Sequence, residues 1–175
     1  KYILNIIDVY SRYAYSVPLT NMRDETLLNE IEKAFDILGI PKNINCDLQF
    51  DTNKMNEYFS KNKITVYFSQ RDEPYKNAIV ERYNRTLAKM IMRWREITKR
   101  RDWNNGLKEI VDGYDSMKHS TTKEAPIDIW KGKTENKQEI NIVENTFEIN
   151  DIVRIKRYKK VFDKGDMHSY SRDTY

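Results

Sequence analysis

Cysteine occurs once and histidine twice in 175 residues. The lone Cys46 excludes an internal disulfide and fits a reducing compartment. One thiol and two imidazoles cannot build a zinc finger. No apolar run approaches the roughly 18 residues of a membrane span, and no signal-peptide pattern precedes the first strand-like run, so no membrane partner is expected. Internal repeats and low-complexity tracts are also lacking. What remains is 33% charged and 39% apolar residues, which suits a globular protein with one core of ordinary size and an appendage. A chain that opens directly on a strand reads as a fragment.

Net charge is only +4, but it is unevenly spread. Between Arg82 and Arg101 lie eight basic residues (82, 85, 89, 93, 95, 99, 100 and 101) against one acid, Glu96. A basic helix beside acidic residues suits a polyanionic ligand; on charge alone, a solvated helix face fits as well.

The run Tyr2 to Val9 is β-rich, and so is Tyr13 to Leu19, with Ser11-Arg12 between them as a hairpin turn or a bent continuation. Asn21 or Asp24 can cap a helix carrying Leu27, Leu28, Ile31, Ala34, Phe35 and Leu38 at helical spacing, closed by Gly39 with Pro41 beyond. A short strand at 43–47, a small helix marked by Met55, Tyr58 and Phe59, and a strand at 64–68 follow. The polar loop 69–76 leads to a long helix starting near Asn77, with an apolar stripe of Ile79, Tyr83, Leu87, Met90, Ile91, Trp94 and Ile97. A further helix carries Trp103, Leu107, Ile110, Val111 and Tyr114, and Pro126 opens a short one. Strands, then alternating helix and strand, then helices predict an α/β layer fold with a mixed sheet. Residues 1–131 form that domain. Residues 132–145 read as a polar linker, and 146–175 as the start of a small β-barrel that the chain stops too early to close.

Two acids stand out. Asp47 ends the short strand, and Glu81 lies on the long helix off its apolar stripe. Two-metal phosphoryl transfer needs carboxylates that converge from different elements to hold two ions about 3.5–4 Å apart. Mg²⁺ prefers oxygen ligands and keeps several waters, so two or three acids suffice. By spacing alone, Asp47 fits a turn or cap residue equally, and Glu81 a surface charge.

The segment VERYNRTL (Val80 to Leu87), with Lys76 upstream, resembles the stretch around the catalytic Glu of retroviral-type (DDE) integrase catalytic cores, and looks closest to those of Maverick/Polinton-like elements. Trp103 followed by YDSMKHSTTKEAPIDIWKG (Tyr114 to Gly132) is similar to that family's closing helices. IIDVYSRYAYSVPL (Ile6 to Leu19) looks like its second and third strands, and FEINDIVRIKRYKKVFDKG (Phe147 to Gly165) like the start of its SH3- or chromo-like C-terminal domain.

The resemblance implies an RNase H-like core entered at its second strand, with Asp47 as the second catalytic Asp and Glu81 as the catalytic Glu. Both would be metal ligands for two Mg²⁺ or Mn²⁺ ions. Thirty-three residues separate them, two fewer than is usual in the family, and the turn after Asp47 is shortened to Leu48-Gln49-Phe50. Asp51 becomes an N-cap of the small helix. Asp8 lies on the wrong strand for the family's first Asp, which is expected before Lys1, so this fragment alone would be inactive.

Lys76, Asn77, Asn84, Arg85 and Lys89 would meet double-stranded DNA at its phosphates. The loop 70–77 would be a mobile catalytic loop or an ordinary connection, with Tyr75 stacking on a base or packing locally. His119 has a structural hydrogen-bonding role. The implied function is insertion of element DNA into host DNA by 3′-end processing and strand transfer, carried out by a homo-oligomer in the host nucleus. Two alternatives stay open: an inactive domesticated core that binds DNA or assembles with partners, and a nuclease that cuts without joining.

Overall fold

The computed structural model describes residues 2–69, 77–138, 150–154 and 174. The chain divides into two compact units, residues 1–138 and 139–175. Half of the expected linker (139–145) and most of the β-barrel segment fall outside the described residues. All helices and strands among the described residues belong to the first unit.

Strand β1 (Tyr2–Ile7) pairs antiparallel with β2 (Ala14–Leu19). Their connection is a turn fixed by Asp8, whose Oδ2 accepts both the backbone N–H and the hydroxyl of Ser11 at 2.7 Å. Arg12 takes a positive φ of 66° there. Helix α1 (Asp24–Leu38) follows and ends at Gly39, whose φ of 78° is open to glycine at no steric cost. The residue at its N-cap position is Arg23 rather than Asn21 or Asp24. Asn21 serves the turn before the helix instead, its Oδ1 accepting from Arg23 N–H and the Thr26 hydroxyl.

Strand β3 (Asn43–Asp47) runs into a single 3₁₀ turn at Leu48–Phe50 and then α2 (Asn53–Lys61). The cap of α2 is Thr52, which accepts from Met55 N–H, and not Asp51, whose carboxylate is engaged by the Asn56 side chain at 2.7 Å. Strand β4 (Thr65–Ser69) pairs with β3 in parallel, as expected when a helical crossover joins two strands. The described strands thus form two separate two-stranded ladders, one of each sense, rather than one continuous sheet.

Period-two alternation sorts β1 between two cores. Leu4 and Ile6 face a cluster with Leu19, Leu27, Ile31, Phe35, Met55, Phe59 and Ile64. Ile3 and Ile7 pack on the other side against Ala14, Tyr83, Leu87, Leu107, Ile110, Val111 and Tyr114. Each fully buried aliphatic or aromatic side chain contributes about 2 kcal/mol, so the first cluster clamps α1 and α2 to the strands.

The second cluster clamps α3 (Ala78–Thr98) and α4 (Leu107–Ser116). The stripe expected on α3 holds from Tyr83 to Trp94, but Ile97 is 70% exposed because the last turn runs past α4. The short α5 (Pro126–Trp130) starts on its proline, and Trp130 stacks on Tyr13 with ring centroids 5.4 Å apart. No helix among the described residues is long and apolar enough to cross a membrane.

The turn into α4 is filled by one ring. A Cβ on Gly106 would lie 2.3 Å from Cζ2 of Trp94, whose indole N–H donates to Glu109 at 3.2 Å. Gly106→Ala therefore requires the ring to move against its anchor. We expect it to cost about 2 kcal/mol and to lower the melting temperature by about 5 °C. A thermal melt of the variant at neutral pH checks this, and an unchanged midpoint would contradict the packing.

Candidate metal-binding and nucleic-acid site

Asp47 stands at the end of β3, in extended backbone (φ −75°, ψ 156°), at the N-cap position of the 3₁₀ turn. Its side chain makes no capping bond there. Instead Oδ1 accepts from Asn77 Nδ2 at 2.6 Å. Asn77 precedes α3, and its backbone carbonyl accepts the N–H of Glu81 at 2.9 Å. One asparagine therefore ties the end of β3 to the first turn of the helix that carries Glu81. Asn77 thus links two segments 34 positions apart in sequence, through its side chain to Asp47 and through its backbone to Glu81.

The polar atoms around this junction are unusual. Asn77 is only 7% exposed, yet its Oδ1 is buried with no hydrogen-bond partner among the described residues. The same holds for Oγ of Ser69, the cross-strand neighbour of Asp47. A buried acceptor left unpaired costs about 1–3 kcal/mol, so native proteins keep few.

Glu81 is exposed in the first turn of α3, where an acid complements the helix dipole, and it joins no ion pair among the described residues. The available donors are thus two carboxylates and an unpaired amide oxygen. All are oxygen ligands, the set that hard divalent cations such as Mg²⁺ or Mn²⁺ prefer. By chemical type these residues suit such an ion.

Neighbouring groups do not enlarge the set. Burial pushes the Cys46 thiol up to about 11, with Asp47 and Asp51 adding to it. It therefore stays protonated at neutral pH, the form that is not nucleophilic. Asp51 is held by Asn56, and Asp8 by Ser11. Among the described residues no group of three or more acidic, Cys or His side chains is poised to hold a metal.

The residues read from the sequence as DNA contacts divide. Asn77 is a buried strut rather than a surface contact. Asn84 is exposed, but its Oδ1 accepts from Asn5 of β1 at 2.7 Å. Asn5 in turn accepts from the Ser16 hydroxyl, which also meets the Tyr83 hydroxyl, each at 2.7 Å. This chain of four polar side chains pins α3 onto β1 and β2. The sequence reading missed it, although Asn5 and Ser16 fall on the strand face opposite Leu4.

Arg85 and Lys89 are exposed and follow Glu81 at four-residue steps along α3. Lys76, Tyr75 and the rest of the loop 70–76 lie outside the described residues. His119 has the structural bond expected of it: Nδ1 accepts the N–H of Thr121 at 3.1 Å.

No protein-family model matches the chain. A transposon-derived, uncharacterized protein of Caenorhabditis elegans is 27% identical over 177 residues, covering 99% of this chain and 61% of that protein. The chain therefore spans less than two thirds of that relative. Among solved structures, the simian T-cell lymphotropic virus intasome in complex with the PP2A regulatory subunit B56 gamma superposes with a TM-score of 0.71 at 12% identity, over 98% of this chain and 60% of that one. The HTLV-2 integrase catalytic core domain in complex with magnesium, in its trimeric form, gives 0.60 at 14% identity, over 70% of this chain and 80% of that one. The fold is that of a retroviral integrase catalytic core, mixed α/β and RNase H-like.

Proposed function

We propose that, on this integrase-core scaffold, the chain is the catalytic part of a mobile-element integrase, a polynucleotidyl transferase acting on double-stranded DNA. The observation that carries the reading is the Asn77 junction, which ties the Asp47 carboxylate to the first turn of the helix bearing Glu81, beside an unpaired oxygen. The magnesium named for the HTLV-2 core supports the same metal here. Divalent ions on such ligands would activate the attacking oxygen and stabilise the leaving one.

The chain's own residues have plainer tasks. Asn77 fixes the orientation of the Asp47 carboxylate. The Asn84–Asn5–Ser16–Tyr83 series holds the register of α3, and with it Glu81. Arg85 and Lys89 neutralise backbone phosphates. In the first reaction water cleaves a phosphodiester near the element's 3′ end and leaves a free 3′-OH. In the second, that hydroxyl attacks a target phosphodiester, displacing a target 3′-oxygen. The hydrolysis is downhill, and strand transfer makes one phosphodiester for the one it breaks, so no cofactor energy is needed and no side-chain nucleophile takes part.

The third acid of the family's set would come from outside residues 1–175. Placement beside Maverick/Polinton-like elements rests on the Val80 to Leu87 and Tyr114 to Gly132 motifs. The transposon-derived relative supports a mobile-element origin. The intasome and trimeric forms named for the structural neighbours support self-association on DNA ends, and nuclear action follows from the substrate.

The test is an assay of the full-length protein with labelled element-end DNA and a target duplex. Joined product that requires Mg²⁺ or Mn²⁺ and vanishes with chelator is expected. Cleavage without joining would make the protein a nuclease. DNA binding with neither would mark an inactive, domesticated core.

A further inference from the structure

A second feature of the first unit stands apart from the acidic junction. Where the β1–β2 turn, α3 and the segment after α4 meet, a cavity of about 480 Å³ opens. Its wall includes Arg12 from the turn, Arg82 from α3, and Lys118, His119, Ser120 and Thr121 from the segment after α4. Glu81, Arg85 and Lys89 are not on it. Successive helix positions are about 100° apart, so Arg82 opens onto a different side of α3 from its neighbour Glu81.

We propose that this cavity is a phosphate-binding site, taking a phosphate group through Arg82 and Lys118 at its rim and Arg12 deeper in.

Three cations gather there from distant parts of the chain, and no acidic side chain is among the described lining residues. Among the described residues no ion pair involves Arg12, Arg82 or Lys118. Asp8 acts on Arg12 through its charge, but it makes no ion pair with it among the described residues, and its Oδ2 accepts both donors of Ser11. The Arg12 guanidinium donates to the Val9 carbonyl and, at 3.4 Å, to Gln138, neutral groups that fix its position without cancelling its charge.

The cations feel one another. Burial chiefly, and then the charges of Arg12 and Arg82, lower the His119 pKa, so its ring is neutral at pH 7. Because Nδ1 accepts from Thr121, the proton sits on Nε2, leaving a ring N–H as donor. Like charges held together cost free energy, which a bound anion returns.

The donor set decides between anions. Two guanidinium groups, an ammonium, an imidazole and several hydroxyls line the cavity from separate segments, which suits a tetrahedral dianion better than a planar carboxylate. The volume exceeds that of a bare phosphate, so an esterified phosphate also fits.

The experiment titrates inorganic phosphate into the chain at constant ionic strength and follows the His119 ring and nearby backbone amides by NMR. Saturable shifts with a dissociation constant on the order of 1 mM are expected. The double variant Arg82→Gln/Lys118→Gln changes only exposed side chains, so it should fold normally and bind about tenfold more weakly. A short DNA duplex and a nucleoside monophosphate then compete with phosphate. Displacement by the duplex identifies the group as a DNA backbone phosphate; displacement by the nucleotide alone identifies a free phosphomonoester. Non-saturating shifts, or undiminished binding by the double variant, would overturn the site. These readouts need no metal and no catalysis, so they fail or succeed independently of the integrase reading.

Discussion

Glu81→Gln in the full-length protein is expected to lower both 3′-end processing and strand transfer by at least about a thousandfold, which is about 4 kcal/mol of barrier. DNA affinity should stay within about threefold. The change replaces one ligand oxygen by an amide nitrogen that cannot bind a hard cation. Little else should move. Glu81 is exposed and makes no ion pair among the described residues, so the fold loses only its interaction with the helix dipole, a few tenths of a kcal/mol. Phosphate contacts come from Lys and Arg, and removing a nearby negative charge favours them slightly. Product formation by gel assay, alongside a melt and a binding isotherm at matched salt, separates these effects. Wild-type strand transfer by the variant would remove Glu81 from the chemistry.

Asp115→Asn should make the protein more stable at pH 8, by about 2–4 kcal/mol, and leave it nearly unchanged at pH 4. Asp115 lies on α4 and is 2% exposed. Burial raises its pKa to about 7 from an ordinary 3.8, opposed by the bond that its Oδ1 accepts from Ala14 N–H at 3.0 Å. The folded state thus holds a proton that the unfolded chain releases near pH 4. Stability falls as pH rises from about 4 to about 7, then levels off once the folded state is also ionised. Each pH unit across that window removes about 1.4 kcal/mol, so the full cost approaches 4 kcal/mol. Asparagine keeps an oxygen for Ala14 and never carries the charge. Melts of both proteins across pH 4 to 8 should diverge steadily, by about 5–10 °C at the upper end. Parallel curves would mean that the carboxylate is solvated in the folded state.

Much of the scaffold was legible because local rules dictated it. The Leu27, Ile31, Ala34 and Phe35 stripe of α1 is buried as its spacing requires, and Gly39 ends the helix. The parallel β3–β4 pair around α2 was implied by strand, helix and strand in succession. Caps were less legible: Asn21, Asp24 and Asp51 were all chemically able to cap, and only the path of the chain made Arg23 and Thr52 the boundary residues.

At the candidate site, the two acids could be named from a motif, but the link between them could not. Asn77 reads as a surface residue until β3 is brought against the start of α3. Arg12, Arg82 and Lys118 follow no sequence pattern, because three separate segments supply them. Asp115 reads as an ordinary helical acid until β2 covers it.

Asp47 touches both ends of one stretch of chain. Ser69 lies across from it on β4, and Asn77 is bonded to its carboxylate. The gateway to residues 70–76 is therefore set by the frame and not by what passes through it. Closing a longer path between coincident anchors costs only about 0.6 kcal/mol per doubling. Evolution can lengthen, shorten or rewrite that stretch while the frame behind it stays as it is.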